Sequence, residues 1–285
     1  MESGSPILLT VLAPAHNEQD NIDRLAAEVF AAIAKAGVPA EFIIVDDCST
    51  DATADKVRSL MPRYPGLRLI SMQRDSRTPA GKGNGQSAAF YAGIRAARGE
   101  FIGMLDADLQ NDPMDFVAML ALQRQHNADL IQGDRSHARK DNFVRRASSA
   151  VGRFFRRLIL ADVVRDTGCS LRVLRTTYAR LLPLQFRGAH RFIPIVTSHL
   201  GGSIVQMPVN HRPRTAGETK YGFGITQRAI PGLIDCFAIR WMANRRRSTT
   251  CIELTTDGTP PDATATAASR RSTAEATEHA GAPRS

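Results

Sequence analysis

The tripeptide Asp106-Ala107-Asp108 sets two carboxylates two residues apart, directly after the apolar run Phe101 to Leu105. At a strand end, where the backbone turns, both can reach one hard divalent ion, and Mg2+ or Mn2+ favours such oxygens together with substrate phosphates. A diphosphate leaving group needs that positive charge as the bond to it breaks. Asp-x-Asp is also a common tripeptide, and an acidic loop capping the next helix is its ordinary alternative. A second acidic cluster, Asp46-Asp47-Cys48-Ser49-Thr50-Asp51, follows Phe42 to Val45, and Pro14-Ala15-His16-Asn17-Glu18 follows Ile7 to Leu12. Carboxylates so placed can accept hydrogen bonds from a base N–H and from ribose hydroxyls. Helix capping accounts for Asp51 but not for Asp46 and Asp47, which sit too early. The loop Ala80-Gly81-Lys82-Gly83-Asn84-Gly85 offers close backbone approach and one cation, Lys82, to a donor's phosphates. It lacks the spacing and Lys-Ser/Thr ending of a P-loop, which disfavours triphosphate hydrolysis.

The elements that carry these clusters alternate short apolar runs with helical patterns, the form of strand-helix units around a mainly parallel sheet. Strands are predicted at Ile7 to Leu12, Phe42 to Val45, Leu67 to Met72 and Phe101 to Leu105. Ile22, Leu25, Ala26, Val29, Phe30 and Ile33 recur at helical spacing, and further helices are predicted over Asp51 to Leu60 and Gln86 to Ala97. Ligands of open α/β sheets bind at the carboxyl ends of the strands, so the polar clusters converge. Past residue 135 the pattern loosens into a basic amphipathic stretch, a strand near Ser170 to Leu174, the segment Arg187 to Pro194 and a strand near Ile204 to Val209. A Gly-rich basic loop, Arg212 to Gly224, then precedes a helix over Ile225 to Arg247. The division expected is a main domain over 1–224, an amphipathic helix over 225–247 and a disordered tail over 248–285, too poor in apolar residues to fold.

A chain of 285 residues, 43% hydrophobic, can bury one substantial core. Cys48, Cys169, Cys236 and Cys251 have neither zinc nor disulfide spacing, which fits a reducing, cytoplasmic compartment. The net charge of +9 predicts attraction to polyanions without choosing among nucleic acid, anionic lipid and phosphorylated substrates. Nucleic acid is disfavoured, because the basic residues follow acidic strand ends rather than stacking aromatics, which make up 6% of the chain. The first apolar run lacks a basic flank and meets His16, Asn17 and Glu18 at once, so it does not read as a signal peptide. No stretch reads as a transmembrane helix.

Taken in order, Pro14, Asn17 and Glu18, Val45-Asp46-Asp47 with Ser49 and Asp51, Asp106-Ala107-Asp108-Leu109-Gln110, Asp166 to Arg172, His190-Arg191-Phe192, and His211-Arg212-Pro213-Arg214 with Gly217, Lys220 and Tyr221 resemble the family-two inverting glycosyltransferases. Within them the pattern is most similar to the polyprenyl-phosphate branch, which includes dolichol-phosphate mannosyltransferase and undecaprenyl-phosphate sugar transferases. The resemblance spans Ile7 to Arg247. It implies a GT-A fold with Pro14, Asn17, Glu18, Asp46 and Asp47 around the nucleotide, Asp106 and Asp108 at the diphosphate and metal, and Gln110 near the sugar or the metal-bound phosphates. The chain departs from many relatives at the Gly81 to Gly85 run, just after Gln110, and in its polar end where they continue into transmembrane helices.

A sugar hydroxyl acceptor needs a base to take its proton, whereas a phosphate monoester, with a second pKa of about 6, is already largely an oxyanion. What a phosphate needs is cations. Arg135, Arg139, Lys140, Arg145 and Arg146 precede Asp166; Arg191, Arg212, Arg214 and Lys220 follow it. Arg135, Arg191 and Asp166 are the candidates for the transfer step, and Arg139, Arg212, Arg214 and Lys220 for holding the acceptor phosphate. Asp166 reads either as a base or as the group that orients Arg135 or Arg172. On the last helix Ile230, Leu233, Ile234, Phe237, Ala238 and Trp241 share a face ahead of Arg245-Arg246-Arg247, which suits either a membrane surface or the domain's own core. Val144 to Ile159 offers a second candidate of that kind. The expectation is transfer of a hexose-type sugar from a nucleotide diphosphate, uridine ahead of guanosine, to a polyprenyl phosphate at the inner membrane face, by peripheral docking or with a small membrane-spanning partner. The alternative is a saccharide hydroxyl acceptor.

Overall fold

The structure is a computed structural model that describes residues 6–137, 156–162, 164–212 and 225–247, the side chains of 225–230 excepted. Seven strands, β1 (Leu9–Ala15), β2 (Ala40–Asp46), β3 (Leu67–Ser71), β4 (Phe101–Met104), β5 (Leu130–Asp134), β6 (Arg172–Arg175) and β7 (Ile204–Pro208), form one sheet in the order β3-β2-β1-β4-β6-β5-β7. Every pairing is parallel except those of β6, which runs antiparallel between β4 and β5. This is the mixed, mainly parallel α/β sheet that the sequence pattern implies.

Alternation along the strands divides the core in two. Leu9, Val11 and Ala13 of β1, with Phe42 and Ile44 of β2, face helices α1 (Ile22–Ala36), α2 (Thr53–Leu60) and α4 (Asp115–His126) through Leu25, Val29, Val57, Phe116 and Met119. Leu12, Ile43, Val45, Ile102 and Met104 face α3 (Gln86–Ala96) through Ala89, Phe90 and Ile94. A side-chain period of two on strands buried from both sides yields these two layers. β1 extends to Ala15, beyond the predicted end, because its pairing with β2 continues to Asp46. α2 begins at Thr53 instead of Asp51, whose carboxylate lies just outside the helix and accepts the Thr53 N–H at 3.0 Å. α4 and β5 are absent from the expected element list. Gln123 on the buried stripe of α4, Ala118 and Ala121 on its outer side, and Gln132 inside β5 blur the apolar periods that would have marked them.

The helix Ile225–Arg245 belongs to one compact unit with the sheet, Met1–Asn244, so the expected boundary at 224 falls inside that unit. Arg245–Ser285 forms a second unit, described only at 245–247. The helix has one packed and one exposed face. Cys236 and Ile239 pack with Leu160, Phe192 and Ile195, while Ile234, Phe237 and Trp241 stand 62%, 59% and 62% exposed. The expected tail and most of the Val144 to Ile159 stretch lie outside the described residues.

Gly99 turns the chain into β4, and a Cβ there would lie 2.5 Å from the Thr10 nitrogen and 2.8 Å from the Leu9 carbonyl carbon. Backbone cannot yield as a side-chain tip can, so Gly99→Ala is expected to destabilise the protein by about 1–3 kcal/mol, read as a lowered midpoint in thermal denaturation.

Candidate active site

Three parallel strands end side by side, and each is followed within five residues by a residue in the left-handed region. Asn17 has φ 54° after β1, Cys48 φ 60° after β2 and Leu109 φ 61° after β4. Non-glycine residues enter this region at a cost and persist where surrounding contacts impose it. Here the turns are stitched to one another. The Asn17 N–H donates to Ser49 Oγ at 2.9 Å, the Glu18 N–H to Thr53 Oγ1 at 2.9 Å and the Gln19 N–H to Asp51 Oδ2 at 3.2 Å. Asn17 Oδ1 accepts the Thr50 N–H at 2.8 Å, and Pro14 lies opposite Val45 in register. Asp46 and Asp47 are both buried. Asp46 accepts the Ser49 N–H at 3.2 Å. Both oxygens of Asp47 are engaged by the glycine-rich loop, through the N–H groups of Asn84 at 2.8 Å and Gly85 at 2.7 Å. A Cβ on Gly83 would lie 2.4 Å from Asp47 Oδ2, which is why that position of the loop is glycine. Asp47 thus holds the loop in place, a duty that the sequence reading did not give it, and Lys82 stands exposed on the same loop.

Asp106 sits at the centre of the next group. Gln86 Nε2 donates to its Oδ1 at 2.5 Å and Ser170 Oγ to its Oδ2 at 2.6 Å, while Asn111 Nδ2 donates to Ser170 Oγ at 2.8 Å. Burial, and then the charge of Asp108, push the Asp106 carboxyl up to about 6. A cavity of about 170 Å³ opens against Asp106, with Gln86, Ser170, Arg172, His190 and Arg191 in its walls.

Asp166 makes a two-pronged ion pair with Arg135. Nε reaches Oδ2 at 2.8 Å, Nη2 reaches Oδ1 at 3.2 Å, and the Arg135 N–H also donates to Oδ2 at 3.2 Å. Both carboxylate oxygens of Asp166 are thereby held against Arg135. The loop bearing Asp166 is fixed by Gln132, fully buried on β5, whose Nε2 donates to the carbonyls of Asp166 at 3.2 Å and Cys169 at 3.0 Å. Arg172 is 3% exposed; its Nη2 donates to the Cys169 carbonyl, and its Nε and Nη1 have no partner among the described residues. Burial pulls its guanidinium down to about 10.

The remaining candidates divide. Arg191 lines the cavity beside His190. Gln110 is half-buried just beyond Asp108, its carbonyl accepting the Arg212 N–H at 2.8 Å. Arg212 itself is held between Glu28 at 2.6 Å and Asp112 at 2.7 Å, so its guanidinium ties α1 to the loop after β4 instead of standing open for a phosphate. Arg139, Arg214 and Lys220 lie outside the described residues. Gln86, Ser87, Gln132 and the cavity role of Arg172 escaped the sequence reading. A polar residue within an apolar strand marks Gln132, and the first polar residues after the glycine run mark Gln86 and Ser87; nothing local marks Arg172.

No group of three or more His, Cys, Asp or Glu that could cage a metal occurs among the described residues. The residues fit Mg2+ or Mn2+ nonetheless, because these ions are commonly held by one or two carboxylates with substrate phosphates and water completing the shell. Burial first, and the charge of Asp108 second, disfavour the ionised Asp106, and a cation bound there would favour it.

Acidic strand ends around a crevice on this seven-stranded sheet are the architecture of the GT-A fold. The profile of glycosyl transferase family 2 matches residues 10–182, and the chain belongs to that family. The dodecaprenyl-phosphate galacturonate synthase of Rhizobium johnstonii is 34% identical over 239 residues, covering 82% of this chain and 68% of that protein. The undecaprenyl-phosphate 4-deoxy-4-formamido-L-arabinose transferase of Edwardsiella ictaluri is 29% identical over 228 residues, covering 80% and 67%. Among solved structures, glucosyl-3-phosphoglycerate synthase from Mycobacterium tuberculosis superposes with TM-score 0.59 at 20% identity over 88% of this chain and 84% of its own. A mannosyltransferase from Pyrobaculum calidifontis, solved with GDP-mannose and Mn2+, superposes with TM-score 0.56 at 18% identity over 87% and 68%. These structural likenesses establish the shared fold.

An ionised Asp106 is disfavoured by folding, since its carboxyl titrates at about 6 in the folded protein against 3.8 as a free side chain. The metal-free protein therefore loses stability as pH rises through that interval. Asp106→Asn is expected to raise the melting temperature of the metal-free protein at pH 8 while abolishing Mn2+ binding. In the unaltered chain, Mn2+ affinity measured by calorimetry should fall steeply once pH drops below about 6, where protons compete for the ligand.

Proposed function

We propose that the protein transfers a sugar from a nucleotide diphosphate to a polyprenyl phosphate at a membrane surface. The observation that carries this is the character of the cavity beside Asp106. Its walls bring Arg172 and Arg191 together, and Asp106, the candidate metal ligand, is the sole carboxylate among them. Asp166, the candidate base, is bound on both oxygens by Arg135. A hydroxyl acceptor would find no carboxylate open to take its proton there, whereas a phosphate oxyanion requires none. The N–H groups of the buried Arg172 that have no partner among the described residues are what an incoming anion would satisfy, and leaving them bare costs about 1–3 kcal/mol each. The names of the two sequence relatives, both polyprenyl-phosphate sugar enzymes, agree with this reading.

In this reading, the turns after β1 and β2 hold the nucleotide through Asn17, Glu18 and Asp46. Asp106 and Asp108 hold Mg2+ or Mn2+, which when bound neutralises the diphosphate. Gln86 and Ser170 keep the Asp106 carboxylate aimed. Asp166 fixes Arg135 so that its guanidinium, with Arg172 and Arg191, counters the charge of the acceptor phosphate as it approaches the anomeric carbon. Attack from the side opposite the leaving diphosphate inverts that centre. Arg139, Arg214 and Lys220 are proposed to extend the phosphate-binding set, and uridine is the proposed base of the donor.

No described helix is long and apolar enough to cross a membrane. Contact with the membrane is assigned to Ile234, Phe237 and Trp241, whose exposure leaves an apolar ridge on the helix Ile225–Arg245, with Arg240 exposed beside it and Arg245 to Arg247 following in sequence. Apolar side chains entering the headgroup region, with arginines meeting anionic lipid, are a recognised way for such a helix to bind.

The assay is formation of glycolipid from UDP-sugars and undecaprenyl phosphate with Mn2+. Asp166→Asn is expected to lower kcat on the order of 10²-fold without changing the shape of the pH–rate profile, because an orienting group is lost and not a base; a vanished pH limb would restore the base role. Replacing Ile234, Phe237 and Trp241 together by Ser should abolish cosedimentation with phosphatidylglycerol vesicles at low salt while leaving UDP binding intact. Sustained vesicle binding by that triple variant would refute the docking face.

A further inference from the structure

One polar pair at the cavity, His190 in its wall and Ser87 behind it, has no part in the scheme above. Ser87, in the first turn of α3, is 3% exposed. Its Oγ accepts the backbone N–H of His190 at 3.1 Å and lies 2.8 Å from Nδ1 of the same residue. His190 rides on a short 3-10 helix, Ala189–Phe192, launched by Gly188 at φ 83°, and shares the cavity with Asp106 and Gln86.

We propose that His190 is a specificity-determining residue, locked by Ser87 in the neutral form that carries its proton on Nε2, and that it donates this N–H to a hydroxyl oxygen of the transferred sugar. The inference rests on the donor half of the proposed function and deepens it.

The tautomer is part of the proposal. The Ser87 oxygen accepts the His190 backbone N–H at 3.1 Å and lies 2.8 Å from Nδ1, and the proposal places the hydroxyl proton in that second contact. An imidazole that accepts at Nδ1 and is neutral must carry its hydrogen on Nε2. Neutrality has its own cause: burial first, then the neighbouring charges of Arg191 and Arg172, push the ring down to about 3. Nε2–H has no lone pair to offer, so the ring cannot serve as a base at that atom, consistent with a nucleophile that needs none.

The sugar is the partner that the placement favours. Asp106 is the candidate diphosphate anchor, and the group bonded to the diphosphate is the sugar, so the cavity beside Asp106 is where that ring goes. A phosphate would be better served by charge, which Arg172 and Arg191 already bring to the same walls. A neutral donor suits a hydroxyl, and a buried donor left unpaired by the wrong sugar gives strong rejection. His190 would thus discriminate among donors by the presence and direction of one hydroxyl.

The test uses the full chain with Mn2+ and compares, by calorimetry, the affinity for UDP with those for UDP-glucose, UDP-galactose and UDP-galacturonic acid. The difference is the contribution of the sugar, and it can be read whether or not any lipid accepts it. His190→Ala should remove roughly tenfold of that contribution for the preferred sugar while UDP affinity is unchanged. His190→Gln, which keeps an N–H within reach, should restore most of it. Ser87→Ala should lose part and Ser87→Thr little, since the hydroxyl that locks the ring returns. Side-chain 15N spectra should show the Nε2–H tautomer throughout about pH 5 to 8, and a mixture of tautomers in Ser87→Ala. Equal loss of UDP and UDP-sugar affinity in His190→Ala, no sugar contribution in the unaltered protein, or an Nδ1–H or charged imidazole at neutral pH would each overturn the proposal. A failed lipid-transfer assay alongside the expected binding pattern would count against the acceptor reading alone.

Discussion

Carboxylates crowded at one edge of a parallel sheet repel one another, and the architecture of this protein is arranged around that repulsion. Asp46, Asp47, Asp106 and Asp108 all lie at the ends of β2 and β4, close to the turn after β1. Each negative charge taken from water must be met by a donor, a cation or a proton. The fold meets them unevenly. Asp47 is satisfied by two backbone N–H groups, Asp166 by a guanidinium, and Asp106 by hydrogen bonds from two neutral side chains, Gln86 and Ser170, with the charges of Arg135 and Arg172 nearby. Burial and the charge of Asp108 outweigh these at Asp106, the carboxylate facing the cavity, and its pKa is raised.

The opposite imbalance lies a few residues away in the same wall. Arg172 carries a charge into the interior with Nε and Nη1 unpartnered among the described residues, whereas Arg135 is matched by Asp166. One cavity thus holds an acid in search of a cation and a guanidinium in search of an anion. Were they paired with one another, the site would be more stable and inert. The Ser170 and Gln86 hydrogen bonds to Asp106, and the engagement of Arg172 with the Cys169 carbonyl, help keep them apart. Stability given up at such a point is a common mark of a working site.

The same economy of parts appears in the helix Ile225–Arg245. One face closes a small apolar cluster over Phe192, which ends the 3-10 helix carrying His190 and Arg191, while the other leaves Ile234, Phe237 and Trp241 in solvent. A surface that holds the lipid end of an acceptor would thereby be coupled through a single helix to the segment that lines the cavity.

Much of this was legible in the chain. The alternation of apolar runs with helical periods determined the mainly parallel sheet, and the polar residues after Ala15, Val45 and Leu105 announced which strand ends would meet, because a strand's end is local information. Ordered motifs from Pro14 to Lys220 carried the family. What tertiary structure decided was the use of each group. Asp47 was an apparent ligand until the loop at Asn84 and Gly85 came to rest on it, and Arg212 an apparent phosphate binder until Glu28 and Asp112 closed around it. Asp166 reads from the sequence as a base or an orienting group, and folding binds both its oxygens to Arg135; Ser87 and His190, 103 residues apart, had no visible relation before they shared a hydrogen bond. Residue type and spacing fix what a side chain is able to do; which partner reaches it first depends on contacts distant along the chain, and those exist only once it has folded.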